Sequence, residues 1–256
     1  MKEERFSRTE LLLGANALKR LSAARVVVVG LGAVGSYAVE GLARAGVGNL
    51  RLVDFDEVRV SNINRQLYAL DSTVGRSKVE VARQRVLDIN PRCKVEALNL
   101  FVSAETIERV LEGKLDVVVD AIDSVGPKLL LISSAVHAGL YTISIMGAAT
   151  RRDPLKIRVG DLSETTNCPL ARYIRKRLHR RGVDHGVRCV YSIEPVPHGA
   201  RAEAPEDEAA SGSPREYERG RKRARLGSLS CLTGMFGLIA ANEAIARITG
   251  PGPSPA

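Results

Sequence analysis

The sequence predicts an α/β fold: a doubly wound, mainly parallel sheet followed by a smaller C-terminal extension. Three observations predict it. Short Val- and Ile-rich runs alternate with helix-patterned segments up to about residue 150, as successive strand–helix units do. Runs such as Val117-Val118-Val119 are apolar without alternation, which a strand buried on both faces requires. A glycine loop, Gly30-Leu31-Gly32-Ala33-Val34-Gly35, joins the apolar run Val26 to Val29 to a helical segment and allows a tight strand-to-helix turn.

In chain order, strands are predicted at about 25–30, 49–55, 94–101, 116–122 and 141–146, and helices near 35–46, 77–89, 103–112 and 127–139. Ser103 with Glu105 and Thr106 marks a helix start, and Gly46, Gly113 and Gly139 stand at helix stops. After residue 147 the character changes. Lys156 to Val159 and Val187 to Ile193 alternate like strands of an antiparallel extension. Between them, Leu170, Ile174 and Leu178 recur every four residues and predict a helix over 170–181. The Pro-, Ala-, Glu- and Ser-rich stretch 197–214 reads as a mobile loop. An apolar helix is predicted over 228–248; Gly, Ser and Thr interrupt it too often for a membrane span, so it is expected to be buried. The 256 residues are read as one domain, a core over 1–150 and an extension over 151–256.

Composition narrows the function classes. A hydrophobic share of 45% and a charged share of 26% are ordinary for a globular protein, and the charged start Met1-Lys2-Glu3-Glu4-Arg5 carries no signal pattern, so a cytoplasmic protein is expected. The four cysteines, Cys93, Cys168, Cys189 and Cys231, form no Cys-x-x-Cys pair; free thiols and no zinc site are expected, with Cys231 in the core. The net charge of +9 implies a polyanionic partner. Its location says more than its size. Segment 170–183 holds Arg172, Arg175, Lys176, Arg177, Arg180, Arg181 and His179 with no acid, and segment 215–225 holds six basic residues against Glu216 and Glu218.

The chemistry-bearing residues cluster around the glycine loop. Gly30, Gly32 and Gly35 let the backbone approach a phosphate, and the helix that follows offers free N–H donors and a positive dipole end. Asp54 ends the second apolar strand, at the distance from the loop where a carboxylate accepts from a ribose hydroxyl. Alone, such a loop most often means a nicotinamide or flavin dinucleotide. Arg65, Gln66 and Lys78 change that reading, because a triphosphate needs fixed cations and hydride transfer does not. Lys78 also opens a helix, where a cation opposes the dipole and calls for an anion. Asp123 closes another apolar strand at the edge where α/β ligands sit. The loop is therefore read as an ATP site on a Rossmann-like frame.

Asp54-x-Asp56, Ser61-Asn62-x-x-Arg65-Gln66, Lys78 and Asp120-Ala121-Ile122-Asp123-Ser124 resemble the ubiquitin-activating-enzyme-like (ThiF-type) superfamily of adenylating enzymes. Asp161-Leu162-Ser163-x-Thr165-Thr166-x-x-Pro169-Leu170-Ala171-Arg172 and Val190-Tyr191-Ser192-x-Glu194 narrow the resemblance to the tRNA threonylcarbamoyladenosine dehydratases. It runs from about Arg5 to about Ile248. The resemblance implies adenylation of a carboxylate by ATP, then ring closure of threonylcarbamoyladenosine beside the tRNA anticodon. It implies nucleotide contacts from Asp56, Asn62 and Ser124 as well, and magnesium on Asp123. It further implies a homodimer in which Arg8, in Arg5-Phe6-Ser7-Arg8, reaches the neighbouring ATP site, and it raises a sulfur-acceptor protein of a cysteine desulfurase as a partner. Arg172, Arg175, Lys176, Arg177, Arg180 and Arg181 would hold tRNA phosphates. One position departs from the pattern: Cys168 stands where the dehydratases carry Asp, and no catalytic role is expected for it.

Two other readings stand beside this one. The chain would instead adenylate the C-terminal glycine of a sulfur-carrier or ubiquitin-like protein, which the basic clusters oppose. Or it would be a non-catalytic tRNA-binding module, which intact Arg65, Lys78 and Asp123 oppose.

Overall fold

A computed structural model describes residues 4–196, 201–202 and 225–250. Seven strands form one sheet: β1 (Arg25–Val29), β2 (Asn49–Asp54), β3 (Lys94–Asn99), β4 (Val117–Asp120), β5 (Thr142–Ile145), β6 (Ile157–Asp161) and β7 (Val187–Ser192). Their order is β3-β2-β1-β4-β5-β7-β6, all parallel except β6 against β7. Because β2 and β3 wind to one side of β1 while β4 and β5 wind to the other, a crevice opens outside the carboxyl ends of β1 and β4.

The valine runs explain the burial on both faces. Val26 and Val28 of β1 join the core under α3 (Gly35–Ala45), α4 (Lys78–Ile89) and the C-terminal helix; Val27 and Val29 join the core under α5 (Ile107–Leu111) and α6 (Val125–His137). Each valine so buried contributes about 1.5–3 kcal/mol. Two short N-terminal helices, α1 (Ser7–Leu13) and α2 (Ala15–Ala23), precede β1, and α7 (Pro169–His179) packs Ala171, Ile174 and Leu178 against Leu129 and Ile132 of α6 and against β7. The last helix, α8 (Ser230–Thr249), is long and apolar enough to cross a membrane. Its Phe236, Ala240, Ala241 and Ala244 are buried, and small residues bring it close to α3: a Cβ on Gly237 would lie 2.2 Å from the Val34 carbonyl oxygen, and one on Gly41 2.8 Å from Ala241.

The two strands of the extension pair antiparallel as expected, β6 against β7, and β7 also pairs in parallel with β5, so the extension continues the main sheet. Two expectations are corrected. The helix expected over 103–112 is shorter, because Thr106 Oγ1 accepts from Ser103 N (2.9 Å) and Ser103–Thr106 form a capping turn before α5 begins. Cys231 is exposed, on the side of α8 away from Phe236. The expected mobile loop 197–214 and the basic stretch 215–225 lie outside the described residues, apart from the paired backbone of Arg201–Ala202 with Arg225–Leu226.

Candidate functional site

The glycine loop leaves β1 at Gly30, whose φ of 90° is open to glycine and strained for other residues. A Cβ there would sit 2.8 Å from the Ala121 carbonyl oxygen, so this residue lets the loop cross the end of β4. Gly35 has a different reason. Its Cβ would fall 1.8 Å from the Gly30 carbonyl oxygen, so α3 starts directly on the loop. Gly32 faces open space, with Gln66 Nε2 as its neighbour at 3.7 Å. Leu31 N donates to Asp54 Oδ2 (2.6 Å), while among the described residues nothing accepts from the N–H groups of Gly32, Ala33 and Val34. Open amide donors at a helix N-terminus make an anion cradle.

Asp54 is buried at the end of β2 and also accepts from Asp56 N (2.9 Å). Burial raises the pKa of its carboxyl, with Lys78 opposing and Asp56 adding to that effect. Lys78 begins α4, is buried, and places Nζ 2.8 Å from Asp56 Oδ2, with its own N–H on the Asp56 carbonyl (3.0 Å). The anion that this helix-opening cation calls for is therefore Asp56, which holds Lys78 beside Asp54.

Segment 59–68 is docked on the first turn of α3: Ser36 Oγ accepts from Leu67 N (3.2 Å) and the Ser36 carbonyl from Tyr68 Oη (3.1 Å). Within it, Asn62 is buried; its Oδ1 accepts from Arg59 N (3.1 Å) and its carbonyl from Arg65 N and Gln66 N. Asn62 thus shapes the loop that carries Arg65 and sets Gln66 beside Gly32. The Arg65 guanidinium is half-buried and donates to the Ser61 carbonyl and Asn64 Oδ1, both at 2.8 Å.

Asp123, exposed, and Ser124 follow β4 and lead into α6, on the far wall of the crevice. Behind them stands a pair that the sequence reading missed. Lys128 and Asp120 are fully buried with Nζ 2.8 Å from Oδ2, and the ammonium also donates to the carbonyls of Ile122 (3.0 Å) and Ile145 (2.8 Å). Asp120 accepts further from Ser144 Oγ (2.6 Å) and Ile122 N (3.1 Å). The signal in the sequence was a lysine inside the apolar run Lys128-Leu129-Leu130-Leu131-Ile132, eight residues after a strand-ending aspartate.

Arg8 is not brought to this crevice by its own chain. Phe6 packs on Gly46 and Arg5 donates to the Ile89 carbonyl (2.6 Å), which anchors the N-terminal arm at the amino edge of the sheet, opposite the glycine loop.

The basic helix α7 divides its charges. Arg175 is half-buried and donates to the Thr165 carbonyl (2.9 Å), Thr165 Oγ1 (2.8 Å) and the Leu162 carbonyl (3.2 Å), so it pins the preceding loop. Arg181 reaches Ser133 Oγ (3.3 Å). Arg172, Lys176, Arg177 and Arg180 face solvent, beside a groove lined by Arg172, Arg175, Lys176, His179, Val183 and Asp184.

Residues 6–256 match the model of the ThiF family. The tRNA threonylcarbamoyladenosine dehydratase of Bacillus subtilis is 42% identical over 207 residues, covering 80% of this chain and 82% of that one. The protein of the same name from Escherichia coli is 35% identical over 256 residues, 96% of this chain and 93% of that one. The crystal structure of the Escherichia coli tRNA N6-threonylcarbamoyladenosine dehydratase in complex with ATP superposes with a TM-score of 0.82 at 34% identity, covering 96% of this chain and 93% of that one. With a family match that runs over residues 6–256, the chain belongs to the ThiF family.

Proposed function

We propose that this chain dehydrates threonylcarbamoyladenosine in tRNA at the expense of ATP, through an acyl-adenylate. The observation that carries the reading is the set of open Gly32–Val34 amides at the carboxyl end of β1, linked through Leu31, Asp54 and Asp56 to the Lys78 cation. The likeness to dehydratases, one of them solved with ATP, supports the same chemistry.

In the first step a carboxylate oxygen of the modification attacks the α-phosphorus of ATP and pyrophosphate leaves. Charge grows on the phosphate oxygens, so preorganised donors and cations lower the barrier. The loop amides cradle phosphate, Arg65 and Lys78 neutralise it, and Asp54 orients the ribose. In the second step a heteroatom of the same modification attacks the activated carbonyl, loses its proton and expels AMP. The carboxylate oxygen leaves with AMP, and the ring closes with net loss of one water. Nucleophile and electrophile share one molecule, so effective molarity replaces a covalent enzyme intermediate.

Magnesium suits the donor set. Asp123 is an exposed oxygen ligand at the crevice edge, and this ion is commonly held by one or two carboxylates plus substrate phosphates. When bound, magnesium would neutralise phosphate charge. A homodimer would bring Arg8 of a second copy over the crevice that its own arm does not reach. The outward cations of α7 would hold tRNA phosphates.

The test is direct. Incubate the protein with ATP, magnesium and tRNA from cells lacking the cyclic modification, digest the RNA and weigh the nucleosides. The threonylcarbamoyl nucleoside is expected to lose one water. An unchanged mass with folded, ATP-binding protein rejects the reading in favour of sulfur-carrier activation or simple tRNA binding.

A further inference from the structure

Helix α7 carries an aromatic ring where burial does not explain one. Ala171, Ile174 and Leu178 form its buried stripe, while Tyr173 faces solvent at 44% exposure. Aromatic residues are scarce in this chain, 4% of the sequence, and Phe6, Tyr68, Tyr191 and Phe236 are buried. The Tyr173 ring is covered by the Arg177 guanidinium, 5.0 Å from its centroid, one turn along the same face. Beside this pair runs a second ridge, Arg172, Lys176 and Arg180, spaced four residues apart and exposed.

Position gives the pair a task. The first turn of α7 lies at the same edge of the sheet, one strand beyond β4: Leu170 Cβ lies 3.9 Å from where a Cβ on Gly147 would stand, and Gly147 is two residues beyond the carboxyl end of β5. Tyr173 is four residues past Pro169, about 6 Å along the helix axis. The reacting carboxylate hangs from an adenosine beside the anticodon, in a single-stranded loop whose bases offer open faces. Unstacked bases in RNA loops are taken up by aromatic rings and guanidinium planes.

We propose that Tyr173, backed by Arg177, is the stacking platform for the RNA base next to the reacting adenosine, with the Arg172, Lys176 and Arg180 ridge holding the phosphates of that strand. The proposal rests on the tRNA reading of the basic helix and adds to it a base-contacting residue. Stacking tolerates any base, so the platform positions the loop without reading its sequence.

The experiment uses the full chain and an anticodon stem–loop RNA carrying 2-aminopurine beside the adenosine. Affinity and fluorescence are compared for the parent, Tyr173→Ala, Tyr173→Phe and Tyr173→Trp, with a fully paired RNA duplex of equal length as control. Tyr173→Ala is expected to weaken loop binding by about 5-fold or more, the lower end of what one stacked base contributes. Tyr173→Phe and Tyr173→Trp should stay near the parent, 2-aminopurine quenching should vanish only in the alanine variant, and duplex affinity, salt slope and ATP affinity should not move. Loop affinity within twofold of the parent for Tyr173→Ala, or an equal loss on the duplex, overturns the platform. Parent-like binding by a variant lacking the Arg172, Lys176 and Arg180 charges overturns the tRNA reading itself, and the platform with it.

Discussion

Lys128 Nζ lies 2.8 Å from Asp120 Oδ2 at the carboxyl end of β4, and both side chains are fully buried. All three protons of the ammonium have acceptors, since the carbonyls of Ile122 and Ile145 complete its shell. The pair therefore ties the loop that carries Asp123 to the end of β5. Removing one partner strands a buried charge. Lys128→Met is expected to lower stability by about 3–5 kcal/mol, whereas Asp120→Asn with Lys128→Met should lie closer to the parent. Urea unfolding measures both, and a double variant less stable than Lys128→Met would reject the unpaired-charge account.

The glycines of the loop separate fold from function. Gly30→Ala puts a Cβ 2.8 Å from the Ala121 carbonyl at a φ of 90°, so stability should fall by at least the roughly 1–2 kcal/mol of a strained left-handed residue. Among the described residues Gly32→Ala meets only the Gln66 amide at 3.7 Å and should fold normally, yet it narrows the anion cradle. A raised KM for ATP with an unchanged melting temperature is the expected result for Gly32→Ala. An unchanged KM would mean that the phosphates do not lie on Gly32.

Arg65→Ala and Lys78→Ala should each lower kcat by about 10²–10³, the effect of losing one preorganised donor where charge develops. The two differ in stability. Lys78 is buried against Asp56, so Lys78→Ala leaves that carboxylate without its cation and should also reduce the melting temperature. Among the described residues Arg65 holds only the Ser61 carbonyl and the neighbouring Asn64 side chain, so Arg65→Ala should melt like the parent. Single-turnover conversion and thermal melts on the same samples separate the two effects. Full conversion by folded Arg65→Ala would remove it from the site.

The parts of this molecule legible in its sequence are those set by local pattern. The valine runs, the glycine loop and the Asp54-x-Asp56 and Asn62-x-x-Arg65 spacings each state their geometry within a few residues, and they lie on the observed strands and loops. What stayed hidden depends on distant partners. Lys128 reads as a polar interruption of an apolar helix until the Ile145 carbonyl, 17 residues on, shows where its ammonium goes. The parallel pairing of β7 with β5 is invisible because the intervening helix is basic outside and does not look like a crossover. Cys231 misled because α8 is apolar nearly all round, so its sequence does not mark which stripe faces α3. Asp56 was expected to contact the nucleotide, and its part as the anion that holds Lys78 was not legible.

Acid stability should report on Asp161, the last residue of β6. It accepts from Ser163 N (2.8 Å), Ser163 Oγ (2.7 Å) and Gly186 N (2.8 Å). Burial alone would raise its pKa, but the Ser163 hydroxyl and the amides of Ser163, Gly186 and Val187 outweigh burial and hold it below the ordinary carboxylate value. A folded pKa below the unfolded one gives stability that is present above the unfolded value and lost as pH falls through the folded one. Asp161→Asn should therefore melt lower at neutral pH and show a flatter decline below about pH 4. Melting temperatures across that range check it, and parallel acid limbs for variant and parent would refute it.

The last prediction separates charges that hold RNA from a charge that holds the fold. Arg172, Lys176 and Arg180 point outward from α7, whereas Arg175 makes three hydrogen bonds to Leu162 and Thr165. If the outward ridge meets phosphates, each cation releases counterions on binding, and the logarithm of affinity falls with the logarithm of salt by about 0.7–0.9 per contact. Replacing Arg172, Lys176 and Arg180 by Gln should flatten that slope by about 2 and weaken tRNA binding most at low salt, leaving melting temperature and the KM for ATP in place. Arg175→Gln should do the reverse, lowering the melting temperature because the Thr165 carbonyl and hydroxyl lose their shared donor, with little change in slope. Salt titrations of tRNA binding paired with thermal melts decide it. A slope that falls with Arg175→Gln and holds in the triple variant would place the phosphates on the buried side of the helix, against the geometry of its hydrogen bonds.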